Sequence, residues 1–229
     1  MTTHALKALL ITTLVAASSS AFAAESADLA VRGTIRPSAC NVELSGGGQL
    51  DLGTISATTL SETEGTRVAQ RSMTMTVNCD AATRFGISTA DNRAGTTGGT
   101  ARAASGMIPS QMMGLGAVNG TAVGGYLVRI LNNGLVGDGN AIPGIYTQDG
   151  GSNWTANFRD FGALGVGTVV QPGIRTHGFA NDGETAPAAF STVTQPMSIE
   201  VYVNSTDTLP ALTGGVPIDG SLTFQIQYL

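Results

Sequence analysis

The C-terminal end of the chain alternates apolar and polar side chains over residues 221–229. Successive residues of a β-strand point to opposite faces of a sheet, so a strand here would turn one apolar face toward a core. The residues of that face are Leu222, Phe224, Ile226 and Tyr228. Because no turn signal or polar tail follows them before Leu229, the pattern predicts a core strand that continues to the end of the chain.

A second alternating stretch lies near the other end of the chain, over residues 29–36. The residues on one side of it are Leu29, Val31, Gly33 and Ile35. Taken alone, this stretch fits the first strand of a sandwich. Pro37 follows it and cannot donate a hydrogen bond to a strand ladder, so an arm separate from the segment that begins at Cys40 is the simpler interpretation. Apolar strands at both ends predict a subunit that completes, and is completed by, its neighbours.

Between these ends, short period-two runs are separated by turn-forming residues, among them many of the 31 glycines. Such spacing is typical of many short strands joined by turns. The further candidate strands are residues 49–55, 72–79, 84–89, 125–131 and 197–204. We predict an all-β fold, most simply a sandwich, in which residues 94–176 supply additional hairpins and long loops rather than a separate domain.

The first residues predict an export signal rather than a part of the fold. His4 and Lys7 precede an apolar run over residues 8–17, and Ala21-Phe22-Ala23 fits the small-residue cleavage pattern. The run is too short for a stop-transfer helix. We predict a cleaved signal peptide over residues 1–23, with an uncleaved interfacial anchor as the alternative.

Cys40 and Cys79 are the two cysteines of the chain. An export signal sends them to an oxidising compartment, where one disulfide between them is the natural expectation. The competing interpretation is a two-thiol metal site. It lacks further thiols and histidines nearby, so we predict no metal and no other cofactor.

Charge excludes one large class of partners. The formal net charge is −5, only 12% of the residues are charged, and Lys7 is the only lysine. A nucleic-acid-binding surface needs clustered basic residues, so we predict no nucleic-acid partner.

Candidate catalytic and binding residues each have a plainer explanation. His177 could form a hydrolase triad with Asp182 and Ser191, but the serine is not in a G-x-S-x-G elbow, so a solvated or capping histidine and no enzymatic activity are expected. Trp154 could stack on a sugar, although a loop residue anchored in the core is the commoner case. Asp138-Gly139-Asn140 lacks the downstream acid of a calcium loop and predicts a turn.

Several of these segments together resemble a known family. The first is the pattern Leu29-x-Val31-x-Gly33-x-Ile35-x-Pro37-Ser38-Ala39-Cys40. Leu50-Asp51-Leu52-Gly53-Thr54-Ile55, an alternating strand into Cys79 and a terminal strand with penultimate Tyr228 follow in order. The chain thereby resembles subunits of chaperone–usher fimbriae, the pilins. Asp91-Asn92-Arg93-Ala94-Gly95 and Gly114-Leu115-Gly116 further resemble a longer fimbrial-like subgroup of undefined function.

The resemblance implies an incomplete immunoglobulin-like sandwich over residues 40–229, preceded by a donor-strand extension over residues 24–39. In this family a periplasmic chaperone fills the place of the missing strand, and the arm of the next subunit replaces it at an outer-membrane usher. Leu29, Val31 and Ile35 would then be inserted side chains, and Gly33 would lie where the groove is shallow. The chaperone would bind the terminal strand through Leu222, Phe224, Ile226, Tyr228 and the carboxylate of Leu229.

The expected function is that of a structural subunit of a fimbria on the surface of a Gram-negative bacterium, contributing to cell adhesion and biofilm formation. Its partners would be the chaperone, the usher, neighbouring subunits and a host or surface glycan. An arm directly after the signal favours a shaft, adaptor or minor subunit over a tip adhesin. Two alternatives stay open: a secreted monomeric carbohydrate-binding sandwich that uses Trp154, and a periplasmic hydrolase that uses His177.

Overall fold

The computed structural model describes residues 29–33 and 39–229. The chain divides into two units, Met1–Arg36 and Pro37–Leu229. In the first unit, residues 29–33 form no strand, and Leu29 and Val31 are 89% and 87% exposed. Ile35 and the predicted signal peptide lie outside the described residues. No helix in the described part of the chain is long and apolar enough to span a membrane.

The regular secondary structure of the second unit is mainly β-strand, with one α-helix among its described residues. The helix is α1 (Gly99–Ser105). The strands are β1 (Cys40–Leu44), β2 (Thr66–Asp91), β3 (Met113–Gly114), β4 (Ala117–Val118), β5 (Thr121–Ala122), β6 (Gly124–Leu131), β7 (Val136–Gly137), β8 (Asn140–Ala141), β9 (Gly144–Thr147), β10 (Thr155–Ala156), β11 (Arg159–Asp160), β12 (Val166–Val169), β13 (Thr176–Phe179), β14 (Ala189–Val203) and β15 (Leu222–Tyr228). Short 3-10 turns occupy Ser45–Gly48, Ala57–Thr59, Pro109–Gln111, Gly162–Leu164 and Leu212–Gly214.

The strands form two antiparallel sheets of a sandwich, and the long strand β2 belongs to both. Its first part pairs with β1 on one side and with β14 on the other, and β6, β12 and β11 continue this first sheet. Its last part pairs with β15 on one side and with β13 on the other, and β9 and β10 continue the second sheet. The predicted all-β sandwich is therefore confirmed.

Two of the predicted strands are in fact one. Residues 72–79 and 84–89 both lie in β2, which continues through Asp80, Ala81, Ala82 and Thr83. This connection contains neither glycine nor proline, so nothing in it forces the backbone out of the extended conformation. The strand instead passes from the first sheet to the second there, with a register shift against β14 between Phe190 and Thr192.

The prediction of a strand over residues 49–55 is wrong. Gly53 has a φ of 60°, and its N–H donates to the carboxylate of Asp51 at 2.8 Å, which makes a local turn. Such a turn takes the backbone out of the geometry that a strand ladder requires. Leu50, Leu52 and Ile55 are nevertheless half-buried.

The main core lies between the two sheets. The phenyl rings of Phe85 in β2 and Phe179 in β13 pack with centroids 5.4 Å apart, and both residues are buried. The largest fully buried apolar side chains of this core are Phe85, Phe179, Met75, Ile87, Met113, Ile130, Leu135 and Met197. All but Leu135 come from strands, and both sheets contribute, which is how a sandwich removes its two inner faces from water.

A second, smaller core covers the outer face of the first sheet. Helix α1 contributes the fully buried Ala101, and Met107 and Met112 of the following loop pack with it against Leu127 and Tyr202 of the sheet. Helix α1 and the loop that follows it belong to residues 94–176, which also contain hairpins and further loops. Residues 94–176 also supply the sheet strands β6, β9 and β12.

The disulfide between Cys40 and Cys79 is confirmed. Cys40 is the first residue of β1 and lies directly opposite Cys79 in the ladder with β2. The bond therefore fixes the beginning of β1 to β2 and closes a loop with a sequence separation of 39.

Replacing both cysteines by alanine should lower the free energy of unfolding by about 4 kcal/mol, since the open chain regains the entropy that the closed loop removes. Urea denaturation midpoints and periplasmic yield on immunoblots measure the effect. A reductant should shift the wild-type midpoint by the same amount and leave the double variant unchanged. Equal midpoints for the two proteins would contradict the expectation.

Candidate functional site

A groove of about 610 Å³ lies along one edge of the sandwich. Strand β1 is the edge of the first sheet, and strand β15 is the edge of the second. Within the described residues each pairs with β2 alone. Because β2 is shared by the two sheets, these edges lie on the same side of the sandwich, and the groove opens there.

The floor of the groove is apolar and belongs to the interior of the sandwich. Val128 of β6 and Ile199 and Val201 of β14 form it together with Met73 of β2. Tyr126 also lines the floor, and burial raises its pKa, with the charge of Asp91 acting in the same direction. The tyrosine therefore stays neutral, and the floor offers no charged group to an occupant.

The two walls carry apolar side chains that contact the core but are only half-buried. One wall consists of Leu44 at the end of β1 and of residues 48–55 that follow, and the other runs from residue 215 into β15. The half-buried apolar residues of these edges are Val42, Leu44, Leu50, Leu52, Val216, Ile218, Leu222, Phe224 and Ile226. The described residues thus leave the hydrophobic core open along this edge.

The opposite edge of the sandwich is closed by the chain itself. Between β10 of the second sheet and β11 of the first, the chain crosses through Asn157, which is buried. The N–H of Asn157 donates to the carbonyl of Gly144, and its side-chain amide donates to Oδ1 of Asn132. The incomplete core is therefore a property of the groove edge and not of the sandwich as a whole.

Strand β15 has one row of backbone groups that pairs with no other strand in the described part of the chain. The N–H of Asn92 donates to the carbonyl of Ser221, and the N–H of Leu229 donates to the carbonyl of Arg84. In an antiparallel ladder the hydrogen-bonded positions alternate, so the odd-numbered residues of β15 direct their backbone N–H and C=O groups toward β2. The residues whose N–H and C=O groups point to the open edge are Leu222, Phe224, Ile226 and Tyr228.

The structure places the predicted C-terminal residues in two groups. Leu222, Phe224 and Ile226 pack against the core from β15. Tyr228 is 56% exposed, and its hydroxyl accepts a hydrogen bond from the N–H of Cys40 at 3.0 Å. Leu229 is 48% exposed. The end of β15 thus reaches past the core to the beginning of β1.

The turn after β2 holds the second wall in place. Nε and Nη2 of Arg93 donate to Oδ2 of Asp219 at 2.9 and 2.6 Å. The side-chain amide of Asn92 donates to the hydroxyl oxygens of Ser221 and Thr223, both at 2.9 Å. These bonds fix the chain just before and at the beginning of β15, so they set the width of the groove at this end.

The two short motifs of the fimbrial-like subgroup meet at this turn. The carboxylate of Asp91 accepts the N–H groups of Arg93 and Gly114 at 2.9 and 3.0 Å. A Cβ atom at Gly114 would overlap Oγ1 of Thr96 and the carbonyl of Arg93. The motifs are therefore structural, a role that the sequence pattern alone did not reveal.

The expectation of a solvated or capping His177 is wrong. The residue is 2% exposed in β13, and no described residue forms a hydrogen bond with either ring nitrogen. Burial, and secondarily the charge of Arg175, lowers its pKa to about 3. Ser191 donates its N–H to the carboxylate of Asp138, and Asp182 is exposed, so the hydrogen bonds of a hydrolase triad are not formed.

The other candidate residues have structural roles. The indole N–H of Trp154 donates to the carbonyl of Gly151 at 3.1 Å, and the half-buried ring packs over Gly178 of β13. Asp138 begins the predicted turn, and its carboxylate accepts the N–H groups of two residues of β14. Among the described residues, no group of three or more His, Cys, Asp or Glu side chains could hold a metal ion.

Comparisons with known proteins show similarity over nearly the whole chain. A family model described as "Protein of unknown function (DUF1120)" matches residues 29–133, which include both cysteines and β6. Protein GltF of Escherichia coli (strain K12) is 28% identical over 242 residues, covering 94% of either chain. Uncharacterized protein YhcF of the same organism is 24% identical over 228 residues, covering 92% of this chain and 93% of the relative.

His177 should remain neutral in the folded protein from pH 8 to about pH 4, because its pKa is lowered to about 3. An unfolded chain takes up this proton below about pH 6.5, so acidification below that value destabilises the fold by up to about 1.4 kcal/mol per pH unit through this group. The chain has 2 histidines, and His4 lies in the predicted signal, so one imidazole signal is expected in NMR spectra of the mature protein.

This imidazole signal should not move between pH 8 and 4.5 while the protein stays folded. A His177→Gln variant serves as the control, since it should lose this part of the acid sensitivity of the urea midpoint. A midpoint of the imidazole titration between pH 5.5 and 7.5 would contradict the expectation.

Proposed function

We propose that this protein is a structural subunit of a surface fimbria that assembles by donor-strand exchange. The observation that carries the proposal is the open groove, in which unpaired backbone of β15 borders an apolar floor. Such an edge accepts an extended segment, whose main chain pairs with the strand while alternate side chains fill the groove.

The proposed donor is the N-terminal arm of another copy or of a related subunit. Leu29 and Val31 are exposed, and Ile35 continues their period-two spacing. Burial of three large apolar side chains contributes about 5–9 kcal/mol as an upper bound, to which ladder hydrogen bonds add. Gly33 interrupts the series of large side chains and suits a shallow part of the groove.

The donor and the acceptor are different parts of the chain, so the contact is heterologous. Contacts of this kind continue from copy to copy and form a filament unless the rotation closes a ring. A filament on the cell surface would contribute to adhesion and biofilm formation. This matches the export signal that the sequence predicts and the disulfide between Cys40 and Cys79.

A subunit with an open apolar groove needs protection before it polymerises, because exposed strand edges promote aggregation. We propose that a periplasmic chaperone occupies the groove along β15 and contacts the half-exposed Leu229 and its carboxylate. An outer-membrane usher would then exchange the chaperone for the arm of the next subunit. These steps place the mature protein on the surface of a Gram-negative bacterium.

A triple variant of the arm tests the donor role. Replacing Leu29, Val31 and Ile35 by serine should abolish fibres in electron micrographs, because the inserted side chains no longer bury apolar surface. The matched control changes the alternate positions Arg32 and Thr34 to alanine and should form normal fibres. Normal fibres from the triple variant, or from a deletion of residues 25–36, would contradict the proposal.

A charge in the groove tests the acceptor role. Phe224→Asp should prevent the subunit from accepting a donor while its own arm still binds a wild-type neighbour, so it should cap growing fibres when the two are co-expressed. Leu50→Asp, in the opposite wall, should give the same result without altering β15.

The control for these charges is Phe158→Asp, since Phe158 is 72% exposed and lies at the closed edge of the sandwich. It should leave fibre length unchanged. If the wild-type mature chain, expressed without any chaperone, is a stable monomer that unfolds cooperatively, the fimbrial proposal is wrong and a self-contained sandwich replaces it.

A further inference from the structure

A second cavity, of about 360 Å³, lies at the end of the sandwich where β2 ends. Three connections meet there: the turn after β2, helix α1 with the loop that follows it, and the turn between β12 and β13. Loops gathered at one end of a rigid sandwich are a common place for binding sites. No residue that lines this cavity also lines the groove, so its occupant is a separate question.

The polar groups of this cavity have an excess of free hydrogen-bond donors. The hydroxyl of Thr97 donates to the carbonyl of Met112, but the hydroxyl oxygen of Ser110 accepts from Nε2 of Gln171, which leaves the proton of Ser110 free. No described residue forms a hydrogen bond or an ion pair with the guanidinium group of Arg102. An arginine offers five N–H donors, so this corner of the cavity is donor-rich and positively charged.

The other charged group of the cavity is already engaged. Both carboxylate oxygens of Asp91 accept backbone N–H groups, from Arg93 and from Gly114. Each oxygen keeps a second lone pair, which can accept from a hydroxyl group of a ligand. Met112 and Pro172 supply apolar surface beside these polar groups. The cavity therefore combines a cation, a free hydroxyl donor, acceptors and an apolar side.

We propose that this cavity binds a small hydroxylated carboxylate, the chemistry of an acidic sugar. The planar fork of Arg102 matches a carboxylate, and the hydroxyl of Ser110 can donate to the same group. Ligand hydroxyls then reach the oxygens of Asp91, and the ring lies against the apolar side. A volume of about 360 Å³ is at the lower end for ligand cavities and suits a single sugar unit.

Arg102 also lies in the last turn of α1, where a positive charge favours the helix dipole. A purely structural role of this kind would change stability and leave ligand affinity unaltered. Binding and thermal unfolding therefore have to be measured on the same variants.

The test uses the full mature chain, alone or in complex with its chaperone, and measures binding of D-glucuronate, D-glucose and acetate by calorimetry and NMR titration. Glucuronate should bind, and glucose, which lacks the carboxylate, should bind at least tenfold more weakly. Arg102→Gln should weaken glucuronate binding about 10- to 100-fold, since it removes charge-assisted hydrogen bonds. Ser110→Ala should have a smaller effect in the same direction.

Arg71→Gln is the matched control, because Arg71 is exposed in β2 away from the cavity, and it should bind glucuronate as the wild type does. Tighter binding of glucuronate than of acetate assigns the site to an acidic sugar. Equal affinities for glucuronate and acetate overturn that assignment. Equal binding of glucose and glucuronate, or an Arg102→Gln variant that loses stability but not affinity, overturns the proposal altogether. Neither result depends on whether fibres form.

Discussion

The architecture depends on one strand that serves two sheets. Strand β2 pairs with β1 and β14 through its first part and with β15 and β13 through its last. Since each part has a neighbour on both sides, β1 and β15 become edges that face each other across the interior. The open groove follows from this sharing, because the two edges belong to different sheets and do not pair with each other.

The sequence could predict those features that depend on periodicity. Apolar alternation identified β15 and the C-terminal half of β14, and the two cysteines identified the disulfide that joins β1 to β2. Periodicity says nothing about where a strand changes sheets, so the continuity of β2 through Asp80 was missed. The local turn at Gly53 likewise depends on a left-handed backbone and on the Asp51 carboxylate, which override an alternating pattern.

The candidate chemistry was harder to predict because burial decides it. His177 has polar neighbours in sequence, yet β13 lies between β2 and β9 and excludes water from the imidazole. Arg102 carries no motif, and its place in the second cavity depends on three connections that meet only in the folded chain. The ion pair between Arg129 and Glu200 likewise forms only in the folded chain. The guanidinium group of Arg129 lies against the ring of Phe161, and burial lowers the pKa of this arginine.

The position of the disulfide has a mechanical consequence. Cys40 is the first residue of β1, directly opposite Cys79 in the ladder. A pulling force that enters through residue 39 therefore passes through a covalent bond into the long strand β2 before it loads the hydrogen bonds of β1. The weak ladder of an edge strand is shielded from peeling, and tension spreads instead over the two sheets that β2 joins.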